Sequence, residues 1–249
     1  GAALFYISVQ QQAAWRRHHH GGGAIDGAVE WLEPWSPIPI SLAALHDALA
    51  SDTDLTLVHY AAKGCENILA TTPRLDYADG VSAALADTRT LALLLSAAGR
   101  AATHDATRAC AVAAAAHLLR LRPHLAPEHL LTGGQLRPLA ALVRDGSARA
   151  SAAAMACLVA ALRDEAMRDA LRDGGGSDGS LRAALLRAVV AAVRGAQPLL
   201  RARGCLAVAL LCSLGPTWLL HARELFSLVA DLCGTFAREV GDAAATAAA

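Results

Sequence analysis

Aromatic residues make up only 4% of this 249-residue chain, and a single lysine, Lys63, stands against 21 arginines. The formal net charge is zero with His neutral, so the summed field gives no reason to expect a nucleic-acid or anionic-membrane partner. No CxxC pair occurs among the six cysteines, Cys65, Cys110, Cys157, Cys205, Cys212 and Cys233. Each falls in a stretch that reads as helix, where Cys behaves as a small buried hydrophobe. A secreted disulfide scaffold would be shorter and richer in loops, so a reduced, intracellular and cytoplasmic setting is expected. Apolar stretches such as Leu181 to Val193 and Leu206 to Leu214 are interrupted by arginine or too short to span a bilayer. Nothing at the start resembles a signal peptide, and a soluble chain follows. No Met opens it, and Gly1 is expected to begin a segment of something longer.

What is present is alanine, about a quarter of all residues, within a hydrophobic content of 55% against 18% charged. Alanine gives up no rotamer freedom in a helix and leaves little side chain to cover a sheet face. With β-branched and aromatic residues sparse, an all-α protein is expected. The arginine excess reads as coding composition more than selection for guanidinium chemistry, although arginine does suit bidentate contacts.

Residues 1–39 read as an irregular N-terminal cover or linker. They hold Trp15, the run Arg16-Arg17-His18-His19-His20-Gly21-Gly22-Gly23, and the stretch Trp31-Leu32-Glu33-Pro34-Trp35-Ser36-Pro37-Ile38-Pro39. Three prolines within six residues block a helix interior, so this last stretch is expected to be extended and to pack its tryptophans on the first hairpin as a cap. Three adjacent histidines do not place their rings at the i, i+4 spacing of one helix face, and no Cys lies nearby, so a solvated linker is favoured over a zinc site. Residues 241–249 form an Ala-rich tail.

Between them, residues 40–240 alternate helical patterns with short breaks. Four segments look alike: Leu55 to Leu69, Ala106 to Leu121, Ser147 to Leu162 and Pro198 to Leu214. Each has small residues at its centre and larger aliphatics at its end, and Pro73, Pro123 and Pro216 follow three of them as stops. Anchored at Ile68, Leu118, Val159 and Leu211, they lie 50, 41 and 52 residues apart. The middle value falls within the armadillo and HEAT period of about 40 to 47 residues, and the others allow loop insertions. Partner helices are predicted over Ser41 to Ala50, Val81 to Ala98, Leu136 to Arg144, Leu181 to Arg194 and Trp218 to Val240, giving stacked hairpins. Ala111, Ala115, Ala152, Ala156, Gly204 and Val208 recur about a turn apart, which lets neighbouring helices approach closely. A single buried bundle could use the same residues, so the repeat reading rests on the periodicity.

The unit from Gly133 to Leu162 resembles an armadillo repeat: a Gly turn, a helix carrying Leu136, Pro138, Leu139 and Leu142, the turn Asp145-Gly146-Ser147, and a long alanine-rich helix. The resemblance implies a right-handed α-solenoid of armadillo/HEAT-like helical hairpins. A shorter stretch, Val58-His59-Tyr60-Ala61-Ala62-Lys63-Gly64-Cys65-Glu66-Asn67-Ile68, resembles a helix in the armadillo region of Fused-type kinases and Runkel-type pseudokinases. That resemblance implies roles in cilia, microtubule-linked assemblies and cytokinesis; no kinase signature is present. Armadillo peptide grooves of the importin-alpha type carry an Asn ladder with a Trp one turn earlier. The Asn positions here hold Asn67, His117, Leu158 and Leu210, and the preceding positions hold Lys63, Ala113, Ala154 and Leu206. Only Asn67 matches, so a broad protein surface is expected as partner in place of an extended basic peptide.

No catalytic chemistry is legible. The run Gly174-Gly175-Gly176-Ser177-Asp178-Gly179 lacks the Gly-Lys-Ser/Thr ending of a phosphate loop and reads as an inter-helix loop with Asp178 or Ser180 as N-cap. Glu165, Arg168, Asp169, Arg172 and Asp173 pair on a solvated helix face, since acid-base catalysis needs a sheltered carboxylate pair. His117 reads as a core or boundary histidine sooner than a ligand, and His104, His124 and His129 make no metal spacing, the last two flanking Pro127 in a loop. The expectation is a non-enzymatic protein-binding scaffold or adaptor within a large intracellular assembly, with cytoskeleton or ciliary axoneme as the narrower setting. The alternative is a soluble armadillo-type receptor for disordered peptides, and an enzyme with an unrecognised helical site ranks last. Asn67, Arg108, His117, Arg149 and Arg201 are the candidate partner-binding residues. No cofactor, metal, nucleic acid, membrane or small-molecule substrate is expected.

Overall fold

The computed structural model describes residues 38–72, 84–100, 102–173 and 179–214, with positions 227, 228, 230, 231 and 234 beyond them. All regular structure among these residues is helical, and none of the described helices is long and apolar enough to cross a membrane. The Trp and Pro-rich cover up to Pro37, the triple His, most of the Gly-rich run, nearly all of the helix predicted over Trp218 to Val240 and the Ala-rich tail lie outside the described residues.

The helices are α1 (Ile38–Ala50), α2 (Leu55–Thr71), α3 (Thr88–Gly99), α4 (Asp105–Leu121), α5 (Leu136–Asp145), α6 (Ala148–Leu162), α7 (Glu165–Arg172), α8 (Gly179–Arg194) and α9 (Pro198–Cys212). Carboxylate and hydroxyl caps set several starts. Asp54 accepts from the Leu57 N–H, Asp87 from Thr90, Ser147 from Ala150 and Asp164 from Met167, each satisfying a donor that the first helical turn leaves over.

Three predicted boundaries move for physical reasons. α1 begins at Ile38, because Pro39 falls in the first turn, where its missing N–H costs nothing. α3 begins at Thr88, not Val81, because the Asp87 carboxylate takes the Thr90 N–H at 2.6 Å and opens a new helix there. The segment around His124 and His129 is helical and not a loop. A 3-10 turn at Pro123–Leu125 leads into a π-helical turn at Pro127–Thr132, each opened by a proline. Gly134, with φ of 70°, then turns the chain into α5, a left-handed conformation that a side chain would strain.

The packing forms two rows. In the first row α2 lies on α4, α4 on α6 and α6 on α9; the second row pairs α1 with α3 and α5 with α8. Across the rows α1 packs on α2, α3 on α4, α5 on α6 and α8 on α9. One apolar core runs through these contacts, from Leu49 and Leu69 through Leu94, Leu118, Met155 and Leu158 to Val189 and Leu211. The small residues sit where helices meet: Ala111 and Ala115 are fully buried, and Gly204 is buried against α8. A Cβ on Gly204 would lie 2.9 Å from Val193 Cγ2 and 3.1 Å from the Val193 backbone nitrogen.

The arginine excess has a structural use in this packing. Arg100 donates to the Leu49 and Ser51 carbonyls at the end of α1, and Arg120 to Leu69 and Thr72 at the end of α2. Arg168 caps α6 through Leu162 and Arg163, Arg182 caps α7 through Leu171, and Arg172 reaches Leu214 just past α9. A planar guanidinium suits this job, since it reaches two orphan carbonyls at once and sits at the negative end of the helix dipole.

Candidate protein-interaction surface

The exposed side of the first row gathers polar side chains from four helices. Glu66 of α2 is their centre. Its carboxylate accepts from Lys63 Nζ at 2.9 Å and, through both oxygens at 3.0 Å, from Arg149 Nη2 at the start of α6, 83 positions further along the chain. The contact spans α4, whose Cys110 thiol also bonds the carboxylate. Burial pushes the Glu66 carboxyl up, but Lys63, Arg149 and Cys110 together hold it below its ordinary value. The same site raises the Cys110 thiol to about 11, through burial and the neighbouring carboxylate. A thiol so placed stays protonated and is a poor nucleophile.

Next to this cluster lies His117, about two turns beyond Cys110 on α4 and half-buried. Burial, then the guanidinium of Arg120, lowers its pKa, with Arg203 adding to the fall and Glu66 opposing it. The ring is neutral near pH 7. Burial, and then the neighbouring Arg163, disfavour the charge of Arg120, and Arg203 of α9 donates to the Ala152 carbonyl of α6. The surface is therefore one carboxylate set among several cations.

The five candidate residues fall on the first row but not in one site. Arg149 is exposed and bound to Glu66, and Arg201 is exposed on α9. His117 is half-buried, whereas Asn67 is only 4% exposed and faces the interior. Arg108 lies on the second-row side of α4, where it caps α3 by donating from Nε to Ala98 O at 3.0 Å and from Nη2 to Arg100 O at 3.3 Å. Glu66 was missed as the hub. Its i, i+3 spacing from Lys63 was readable, but nothing in the sequence ties it to Arg149.

Among the described residues no group of three or more His, Cys, Asp or Glu is placed to hold a metal ion. Cys65 and Cys157 are wholly buried, and burial raises both thiols to about 12. Comparison with family models, with curated proteins and with solved structures returns no match.

Proposed function

We propose that the chain is a non-enzymatic protein-binding scaffold or adaptor segment of a larger intracellular assembly, built as a right-handed armadillo/HEAT-like solenoid. The observation that carries this reading is the first row, in which each long helix packs on the next along the chain, presenting an elongated surface in place of an enclosed cavity. The units support it: the Pro127–Thr132 turn, α5 and α6 match α7, α8 and α9 in order, and the two short members touch each other. Each unit holds a short helix followed by a longer antiparallel pair, the three-helix content of an armadillo repeat.

The cations around His117, with Arg149 on the shared Glu66, favour an acidic face on the partner, since charge complementarity steers association and fixes register. An extended-peptide grip has less support, because two of the ladder positions, Asn67 and Leu158, are 4% and 1% exposed. The stretch Val58–Ile68 adds the ciliary or microtubule-linked setting. Its Val58, Ala61, Ala62, Cys65 and Ile68 serve the core, while Tyr60, Lys63 and Glu66 reach the surface side of α2.

The test is site-specific photocrosslinking in the native assembly, with the reactive residue at exposed Arg201 or Arg163 on the first row, or at exposed Arg187 on the second. Protein adducts at Arg201 and Arg163, but not at Arg187, are expected. Adducts at none of the three would sink the proposal, as would affinity purification that recovers only the lone chain.

A further inference from the structure

The second row is not continuous. α1 packs on α3 and α5 packs on α8, but α3 makes no comparable contact with α5. Between them lies a cleft of about 320 Å³, walled by Leu95 and Ala98 of α3 and by Pro138 and Leu142 of α5. Gly99 opens onto it, and a Cβ there would meet nothing within 4 Å. That volume is at the low end for ligand pockets and suits one or two inserted side chains.

The cleft's polar groups are unequal. Asp105 and Asp145 line it and both are exposed. Arg108, the one cation on its wall, already spends its Nε and Nη2 donors on the Ala98 and Arg100 carbonyls. Asp145 has Arg144 at 3.4 Å, but both partners are exposed, and such pairs hold each other weakly. α3 and α5 end here, at Gly99 and Asp145, while α4 begins here at Asp105, so the helix dipoles offset one another and the two carboxylates against one guanidinium leave the mouth negative. An apolar floor with a negative mouth selects an apolar group that carries a cation beside it.

We propose that this cleft docks a partner segment presenting an apolar side chain next to a lysine or arginine. The site lies on the second row, so it goes beyond the surface proposed above. Failed crosslinking at Arg201 and Arg163 would leave it standing.

Methyl NMR of the 249-residue chain tests it, using two blocked tetrapeptides as probes, one carrying Phe-Lys and the other Phe-Glu. The Leu95, Leu139 and Leu142 methyls should shift with the Phe-Lys peptide. Affinity for Phe-Glu should be lower by about 25-fold, because the swap reverses the charge and so applies twice over the factor of about five for one unit charge near 4 Å in water. Gly99→Trp, which fills the cleft, should abolish the shifts, and the paired substitution Asp105→Asn with Asp145→Asn should erase the preference while leaving apolar binding. No shift with either peptide overturns the proposal. So do equal affinities in the unsubstituted chain, shifts that survive Gly99→Trp, or cross-peaks showing that the chain's own residues already fill the cleft.

Discussion

The two helix rows are made from one composition and packed to different ends. In the first row, nearly every residue of α6 from Ala150 to Leu162 is buried, because alanines on both sides let α4 and α9 close in. In the second, α5 spans only ten residues and exposes Arg137, Pro138, Arg144 and Asp145, so it covers α8 on one side and leaves α3 uncovered on the other. Stacking is continuous only where a helix is small and apolar on two faces. A helix with one apolar face ends its row.

The largest test of that contrast is truncation of a large side chain in each row. Met155 on α6 is fully buried, so Met155→Ala should destabilise by about 2–5 kcal/mol through lost transfer energy and the cavity left behind. Leu142 lies half-buried on the cleft wall, where the cavity is already open to water, and Leu142→Ala should cost less than about 1.5 kcal/mol. Denaturant midpoints compare the two directly. Similar losses would mean that the cleft is closed in solution.

The same contrast can be read by adding bulk. At Gly204 a Cβ already meets α8, including the Val193 backbone nitrogen, which cannot swing aside. Gly204→Leu should therefore lower stability by about 1–3 kcal/mol, since overpacking outweighs the helix propensity gained, about 1 kcal/mol. Gly99→Leu meets open space and should fall within about 0.5 kcal/mol of the parent. Thermal melts separate the cases, and a tolerated leucine at Gly204 would refute close approach as the basis of the first row.

Much of this fold was legible, and the misses share a cause. The long helices and the partner helices α5 and α8 were found because a 3.6-residue apolar period extends over nearly three turns or more in each. The start of α3 was missed because Val81 to Ala86 continues the apolar pattern, and only one carboxylate, Asp87, interrupts it. The short turn at Pro127–Thr132 carries too few apolar residues to show a period, whereas the helix at Glu165–Arg172 was legible from the i, i+3 and i+4 spacing of its charges. The site was less legible still. Arg149 meets Glu66, and Arg120 meets Leu69 and Thr72, across about fifty to eighty positions, and no local pattern records which carbonyl or carboxylate an arginine will find.

A guanidinium should matter most where it ties two units together. Arg100 of the α3–α4 turn reaches back to Leu49, Ser51 and Asp52 at the end of α1. Asp52 is exposed and adds little. The two carbonyls are the main partners, and Arg100→Met should cost about 1–2 kcal/mol by orphaning them. Arg100→Lys should recover less than half, because one ammonium cannot match the fork. Faster amide exchange confined to α1 would locate the effect, and uniform exchange throughout would argue against a local cap.

The smallest effect comes from the α1–α3 junction, where His46, 3% exposed, bonds through Nε2 to Thr90 Oγ1 at 2.8 Å. Burial lowers its pKa from 6.5; Asp87 and Asp47 oppose the fall and Arg89 adds to it. The ring is thus neutral in the fold, whereas the unfolded chain takes up a proton near 6.5. Its contribution is complete above that pH and is lost as pH falls through the lower folded value. His117 on the first row has the same sign. Glu66 does not enter this window, because its carboxyl is held below 4.5. His46→Gln keeps an amide able to bond Thr90 but has no proton to take up. Between about pH 7.5 and about pH 5, its denaturation midpoint should therefore decline less steeply than the parent's. Parallel declines would place the acid sensitivity at His117, in the first row and not at the junction of the second.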